Sequence, residues 1–196
     1  RAFPGERDGS VSKLIAHYVH QKILPLADVV LDIHSGGKTL MFSPFACYHR
    51  IPDIEVMENA KQATLAFGAP ISLELVELDA EGMLDTTVED MGKIFVSCEL
   101  GGGGTATTET ISITEIGIRN LLAHFDIIDE KPLSRKDRGL PETQLMHMPD
   151  AGCYLISDDA GIYEPLIDLD QTVKTGDAVG QVHFPAKPEY PPAVYR

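Results

Sequence analysis

Residues 27–37 decide the fold class, and they read ADVVLDIHSGG. A short apolar run lies between Pro25 and the glycine pair 36–37, and this pattern predicts a buried strand of an α/β sheet that ends at Gly36. Because α/β sheets bind their ligands at the carboxyl ends of strands, we expect His34 to point into a site.

His34 is flanked by two polar side chains, Asp32 and Ser35, which are able to hold one of its ring nitrogens. A histidine that ligates zinc usually has such a partner on its second nitrogen. The pattern is compatible with a metal ligand, but on its own it favours a capped strand end with a surface histidine, since short motifs also match by chance.

The composition is that of a folded protein with a strongly negative charge. The chain has 196 residues, of which 43% are hydrophobic and 23% charged, and this is enough for one domain with a small additional module. The net charge of −14 argues against a nucleic-acid backbone or an anionic membrane as the partner. No apolar run approaches the roughly 20 residues of a membrane span.

The three cysteines, Cys47, Cys98 and Cys153, are widely spaced and form no C-x-x-C pair. Neither a zinc ribbon nor a disulfide framework is predicted, and reduced thiols in a cytoplasmic protein are the simplest interpretation. Cys98 precedes Glu99, but no histidine is its neighbour in the sequence, so a nucleophilic role is disfavoured.

Helix and strand patterns alternate along the first 130 residues. Helices are predicted at 11–24, 53–67, 85–91 and 111–125, and further strands at 71–76 and 93–99. This alternation is typical of an α/β fold. His17 and His20 lie three residues apart on the first helix, where exposed positions are favoured over a shared metal.

Glu99 ends a predicted strand, as His34 does, and four glycines follow it at 101–104. Glycines allow the backbone to approach a ligand closely, and a carboxylate at the mouth of a sheet is able to act as a general base through water. The run is no phosphate-binding loop, because Gly-Lys-Ser/Thr is absent. A solvated strand terminus stays open as the alternative for Glu99.

The last part of the chain differs in character from the first. We expect a catalytic-type α/β domain at 1–130, a polar linker at 131–143 and a β-rich, barrel-like and incomplete module at 144–196. Short strands are predicted there at 152–156, 161–167 and 178–183.

Three stretches together carry a family resemblance: residues 1–5, RAFPG; residues 32–37, DIHSGG; and residues 98–102, CELGG. The chain resembles the succinylglutamate desuccinylase/aspartoacylase family, in the clan of zinc carboxypeptidases. Within that family it is most similar to the branch that deacetylates N-acetyl-2,4-diaminobutyrate. The resemblance implies a mixed sheet flanked by helices, followed by a small β-rich module.

The resemblance also implies a site. Family members bind one Zn²⁺ through a His-x-x-Glu motif and a later histidine, which matches His34, and their catalytic glutamate matches Glu99. Their Asn-Arg pair, which binds a substrate carboxylate, places its arginine at Arg1. The implied reaction is zinc-dependent hydrolysis of the amide bond of a small N-acyl amino acid; a homo-oligomer is left open.

One departure from the family pattern limits this inference. None of the seven histidines has a glutamate three residues later, so the first two zinc ligands are missing. A catalytic zinc site usually has three protein ligands. We therefore expect the chain to be an internal stretch of a longer enzyme and to be inactive alone. The alternative is a non-catalytic binding or assembly module that has lost its metal site.

Overall fold

Two units make up the computed structural model, which describes residues 1–196 throughout: Arg1–Asp150 and Ala151–Arg196. The first contains a five-stranded mixed sheet with helices, and the second contains a three-stranded antiparallel sheet. The expected fold class, a mixed α/β sheet flanked by helices with a small β-rich module, is confirmed.

The first unit contains five strands and four α-helices. The strands are β1 Val29–His34, β2 Phe45–His49, β3 Ile71–Leu75, β4 Ile94–Glu99 and β5 Gln144–Met148. The helices are α1 Val11–Tyr18, α2 Ile54–Phe67, α3 Leu84–Asp90 and α4 Thr108–His124. No helix is both long enough and apolar enough to cross a membrane.

The strand order is β1-β4-β2-β3-β5. Strands β1 and β4 are parallel neighbours, and their register pairs His34 with Glu99 at their carboxyl ends. Strand β2 runs antiparallel to β4, while β3 is parallel to β2 and β5 is parallel to β3. The two strand ends singled out in the sequence are thus adjacent in the sheet.

Helices α2 and α4 cover one face of the sheet, where Phe67, Val96 and Cys98 are buried in the larger core. Both helices begin with side-chain caps: Asp53 accepts from two backbone N–H groups of α2, and Thr107 forms a reciprocal pair with Thr110 at the start of α4. These caps satisfy N–H groups that have no partner inside the helix.

The opposite face of β4 packs against α3 and the segment that follows α1. Leu24, Val88 and Phe95 form a second, smaller buried cluster there. The apolar cluster covers only part of this face, and the remaining positions of β4 on it are the polar residues Ser97 and Glu99.

The first predicted helix is shorter than expected. Regular α-helix ends at Tyr18 and continues as a π-helical turn, Val19–Ile23, and a 3₁₀ turn, Leu24–Leu26. Pro25 has no N–H to donate to the carbonyl of Gln21, so the α-helical bonding pattern cannot extend through the 3₁₀ turn. The helices predicted at 53–67, 85–91 and 111–125 correspond to α2, α3 and α4.

The sequence predicts that the C-terminal module begins at residue 144, whereas the second compact unit begins at Ala151. Residues 144–148 form β5, which pairs with β3 in the first sheet, and the first unit extends to Asp150. Most side chains of β5 are exposed, since it is an edge strand, and it is stabilised by backbone hydrogen bonds to β3. Such a strand leaves no apolar alternation in the sequence.

The second unit contains β6 Ile162–Pro165, β7 Gly180–His183 and β8 Ala193–Tyr195, which are antiparallel. The first two match predicted strands. The strand predicted at 152–156 is not formed, and residues 151–153 make a 3₁₀ turn instead. Strand β8 was not predicted, because it has only three residues and follows a proline-rich segment.

Candidate functional site

His34 and Glu99, the two residues singled out in the sequence, are neighbours at the carboxyl ends of β1 and β4. The Nε2 atom of His34 is 2.7 Å from Oδ2 of Asp32, so a ring N–H donates to that carboxylate. This contact fixes the ring and leaves Nδ1 available as a ligand atom. The expected supporting role of Asp32 therefore has a direct geometric basis, while Ser35 accepts from the backbone N–H of Gly37 instead.

Glu99 has one carboxylate oxygen, Oε2, that is buried and makes no hydrogen bond. Burial raises the pKa of Glu99; the charge of His34 opposes that rise and the charge of Asp32 adds to it. A buried polar atom without a partner is uncommon in native proteins and points to a water or ion that belongs there. A carboxylate with a raised pKa is suited to take up and release a proton near neutral pH.

The glycine run packs against backbone. Gly36 N–H donates to the Gly101 carbonyl at 2.9 Å, and Gly103 N–H donates to the Leu40 carbonyl at 2.9 Å. A Cβ atom at Gly102 would lie 2.1 Å from the Leu40 carbonyl oxygen. The glycines thus join the loop after β4 to the loop after β1, directly beyond His34 and Glu99.

Arg1 lies apart from this pair. Its guanidinium forms a salt bridge with Asp79, and the backbone of Phe3 donates to the carbonyl of Gly82 at 3.1 Å. Arg1 lines a cavity of about 400 Å³ together with Glu81 and residues 2–6. The expected carboxylate-binding residue therefore already has a carboxylate partner.

A group of titratable side chains that the sequence did not predict surrounds His49. Its Nδ1 atom is 2.9 Å from Oε1 of Glu89, and its Nε2 atom lies 3.8 Å from Glu77 and 4.0 Å from Asp85. One ligand atom from each of His49, Glu77 and Asp85 lies within 4.8 Å of the other two. The sequence carries no spacing signal for this group, because β2, the loop after β3 and α3 contribute to it separately.

This group and the His34–Glu99 pair lie on the same face of the sheet. Side chains alternate between faces along a strand, and the register of β2 with β4 aligns Phe45 with Glu99 and Cys47 with Ser97. The ring of His49 stacks on Phe95 with centroids 6.3 Å apart. The face therefore carries a polar row that runs from His34 and Glu99 towards His49.

Cys47 lies between the two ends of this row. Burial raises the pKa of the Cys47 thiol to about 12, and the charges of Glu99 and Asp85 both add to the rise. Burial likewise raises the pKa of Cys98 to about 11. Both thiols stay protonated near neutral pH, which disfavours a nucleophilic role for either of them.

The residues present fit a zinc site in part. His34 supplies one nitrogen ligand supported by Asp32, and Glu99 supplies an unsatisfied buried oxygen beside it. His34 does not belong to a group of three potential ligands; that description applies to His49, Glu77 and Asp85. A catalytic zinc at His34 would need ligands in addition to those that this chain provides.

Comparison with known proteins gives consistent matches over the chain. Residues 1–125 match the succinylglutamate desuccinylase/aspartoacylase catalytic domain. All 196 residues align at 44% identity with the N-alpha-acetyl-L-2,4-diaminobutyric acid deacetylase of Halomonas elongata, covering 56% of that protein.

Two solved structures are similar over the full chain. A succinylglutamate desuccinylase from a Silicibacter species has a TM-score of 0.90 at 44% identity, and 58% of it is covered. A product-bound ectoine utilization protein from Ruegeria pomeroyi has a TM-score of 0.92 at 42% identity, with 58% covered. The chain thus spans a little over half the length of the relatives that it matches.

Proposed function

Because the chain belongs to the succinylglutamate desuccinylase/aspartoacylase family, we propose that it is part of a zinc-dependent hydrolase that cleaves the amide bond of an N-acyl amino acid. The observation that supports this most directly is the pairing of His34 with Glu99 at adjacent strand ends. N-acetyl-2,4-diaminobutyrate is the substrate that we propose first, because a relative with 44% identity is a deacetylase of that compound.

In this proposal His34 binds the metal through Nδ1, while Asp32 holds Nε2 and so fixes the orientation of the ring. When bound, zinc polarises the amide carbonyl and lowers the pKa of a water molecule to about 7. Its remaining ligands come from outside the 196 residues. The chain alone is therefore proposed to be inactive, with the activity belonging to the whole protein.

Glu99 has the role of general base and then general acid. Its carboxylate takes a proton from water as the water oxygen attacks the carbonyl carbon. The proton passes to the amide nitrogen as the carbon–nitrogen bond breaks, so the products are a carboxylic acid and a free amine. We propose that the buried Oε2 atom of Glu99, which has no hydrogen-bond partner, is the atom that takes up and releases this proton.

Arg1 is proposed to bind the carboxylate of the substrate. A guanidinium binds a carboxylate through two parallel hydrogen bonds, and Asp79 occupies that position here. The substrate is a small molecule, and the three unpaired cysteines agree with a cytoplasmic reaction, which we include in the proposal.

The test measures zinc per chain and hydrolysis of N-acetyl-2,4-diaminobutyrate, on the 196-residue chain and on the natural full-length chain. We expect about one zinc and activity only in the full-length chain, and loss of both in His34→Ala. His20→Ala, on the segment after α1, is the matched control and should retain both. Zinc in neither chain would contradict the proposal and favour the alternative of a non-catalytic binding module.

A further inference from the structure

A cavity of about 420 Å³ lies at the edge of the sheet that is opposite to His34. Its walls come from three elements: the C-terminal end of α2, the polar linker 131–143 and the start of β5. The strand order β1-β4-β2-β3-β5 places three strands between β5 and the strand that carries His34. The volume lies within the range of roughly 300–1,000 Å³ that is typical of small-molecule sites. The proposed reaction makes no use of this cavity.

One side of the cavity is apolar. Leu65 and Ala66 at the end of α2, Pro132 of the linker and Leu145 of β5 line it. Leu145 is 65% exposed, although its side chain faces a concave surface. Covering apolar surface of this kind removes it from water, which is favourable. This side of the cavity therefore favours a ligand with an apolar body.

The other side carries two cations without a carboxylate partner, Arg135 and Lys136. The Nε atom of Arg135 donates to the carbonyl of Pro141 at 2.8 Å, which leaves the two terminal nitrogens of the guanidinium as a pair of donors. Lys61 and Arg119, on α2 and α4, each pair with a glutamate, whereas neither Arg135 nor Lys136 forms an ion pair. Because acids outnumber bases by 30 to 16 in this chain, two unpaired cations beside an apolar wall indicate an anionic ligand.

The acids near these cations do not neutralise them. Asp137 accepts from the backbone N–H of Ser134 at 3.1 Å and also from the Ser134 hydroxyl, so its carboxylate is already engaged. Glu142 lines the cavity but forms no salt bridge with Arg135 or Lys136. With two bases and one acid, the lining keeps a positive charge.

A third cation, Arg138, contacts the cavity wall from behind. Its Nη2 atom donates to the carbonyl of the lining residue Gly68 at 3.2 Å, while its Nε atom is buried without a hydrogen-bond partner. Burial and the charge of Arg135 both lower the pKa of Arg138. A nearby anion favours the charged form of a base, so an anion in the cavity would offset the repulsion between these two arginines.

Hydrogen bonds fix the walls relative to one another. The buried side chain of Asn120 on α4 accepts from the N–H of Leu133 at 2.6 Å and donates to the Leu133 carbonyl at 3.1 Å, which holds the linker. Just before β5, the hydroxyl oxygens of Ser72 and Thr143 are 2.9 Å apart. A ligand that enters a site fixed in this way avoids much of the entropy cost of ordering it.

We propose that this cavity binds a small monocarboxylate with an apolar body, and that Arg135 and Lys136 bind its carboxylate. A guanidinium binds a carboxylate through two parallel hydrogen bonds, and the lysine adds a point charge. The apolar body packs against Leu65 and Leu145. The inference goes beyond the proposed function, because the site uses none of the residues assigned to hydrolysis.

The test titrates hexanoate, hexanamide and acetate into the natural full-length chain by calorimetry. Hexanamide keeps the apolar body without the charge, and acetate keeps the charge without most of the body. We expect hexanoate to bind at least about tenfold more tightly than either of the other two compounds. Arg135→Gln should weaken hexanoate binding about tenfold, and the exposed Lys136→Gln about threefold. Lys131→Gln, an exposed linker cation outside the cavity, is the matched control and should leave the affinity unchanged.

Equal affinities for hexanoate and hexanamide would overturn the proposal, and so would undetectable binding of hexanoate. The same holds if Lys131→Gln weakens binding as much as Lys136→Gln does, because the charge effect would then not be local to the cavity. Hexanoate binding that is retained in His34→Ala supports the site, whereas binding that is lost in this variant would place hexanoate at the proposed metal and refute the inference. Zinc content and hydrolysis, which test the proposed function, are independent of these results.

Discussion

Glu99 keeps one carboxylate oxygen buried without a hydrogen-bond partner, beside the proposed zinc ligand His34. Glu99→Gln retains the shape of the side chain but removes its ability to accept a proton. We expect kcat of the natural full-length chain to fall by about 10²- to 10⁴-fold, with zinc content unchanged. Steady-state kinetics and elemental analysis check this, with Glu115→Gln on α4 as the exposed control. An unchanged kcat would exclude Glu99 as the base.

At this scale the sequence predicts the positions of His34 and Glu99 at adjacent strand ends but not the His49 group, and the roles of His34 and Glu99 stay predictions. Both predicted residues end apolar strands, and parallel strands bring such ends to one edge, so a local pattern is sufficient. His49 ends a strand that was not predicted, and its partners Glu77 and Asp85 come from two other elements. Only tertiary contacts bring these three together, and no local spacing encodes them.

Among the elements, β3 contains a partly buried ionic contact whose stability depends on pH. Burial by itself would raise the pKa of Glu74, but hydrogen bonds from Tyr48 and Arg50 outweigh it and hold the pKa below its ordinary value. The Tyr48 hydroxyl donates to Glu74 at 2.8 Å, and burial with this hydrogen bond raises the pKa of Tyr48. These contacts join β2 to β3.

A carboxylate whose folded pKa is depressed stabilises the fold above its unfolded pKa, and this contribution is lost as the pH falls through the folded pKa. We therefore expect Glu74→Gln to lower the free energy of unfolding by about 1–3 kcal/mol at pH 7. The difference from wild type should shrink steadily below about pH 4.3. Chemical denaturation across pH 3–7 measures it, and the exposed Glu142→Gln should change little. A difference that is independent of pH would contradict the assignment.

The contact between α2 and α4 depends on a residue without a side chain. A Cβ atom at Gly117 would lie 2.4 Å from the ring of Phe67, which is fully buried and cannot move away. Gly117→Ala gains about 1 kcal/mol of helix propensity, but overpacking of the core costs about 1–3 kcal/mol. We expect net destabilisation in thermal unfolding, while Glu115→Ala on the exposed side of α4 should be neutral. A stabilised Gly117→Ala variant would show that the two helices can separate without cost.

Two of the helices that the sequence predicted have both a wide apolar face and a clear cap. Helices α2 and α4 have both, since Asp53 and Thr107 cap them and Phe67 and Leu121 face the core. Strand β5 has neither, because its side chains are mostly exposed at an edge and its stability comes from backbone pairing. Periodicity reports burial, so it cannot report a strand that is formed mainly by hydrogen bonds.

For the whole molecule, the composition narrows the classes of possible partner, but it does not locate the boundary between the two units. The net charge of −14 argues against polyanionic partners, and it leaves room for the local positive charge of Arg1. The polar, proline-containing segment 131–143 predicts that the second unit begins at residue 144. The pairing of β5 with β3 places its start after residue 150 instead, because five in-register residues after the polar segment return to the first sheet.

This revised boundary predicts how two truncations should differ. A chain that ends at residue 150 keeps β5 and its parallel pairing with β3. A chain that ends at residue 143 loses β5 and leaves the N–H and carbonyl groups along one side of β3 unpaired, which makes β3 an exposed edge open to association. We expect the shorter chain to unfold at a temperature several degrees lower and to self-associate in light scattering, since each lost hydrogen bond costs about 1 kcal/mol. Identical melting curves would mean that β5 contributes nothing to the first unit and that the boundary at 144 is the physical one.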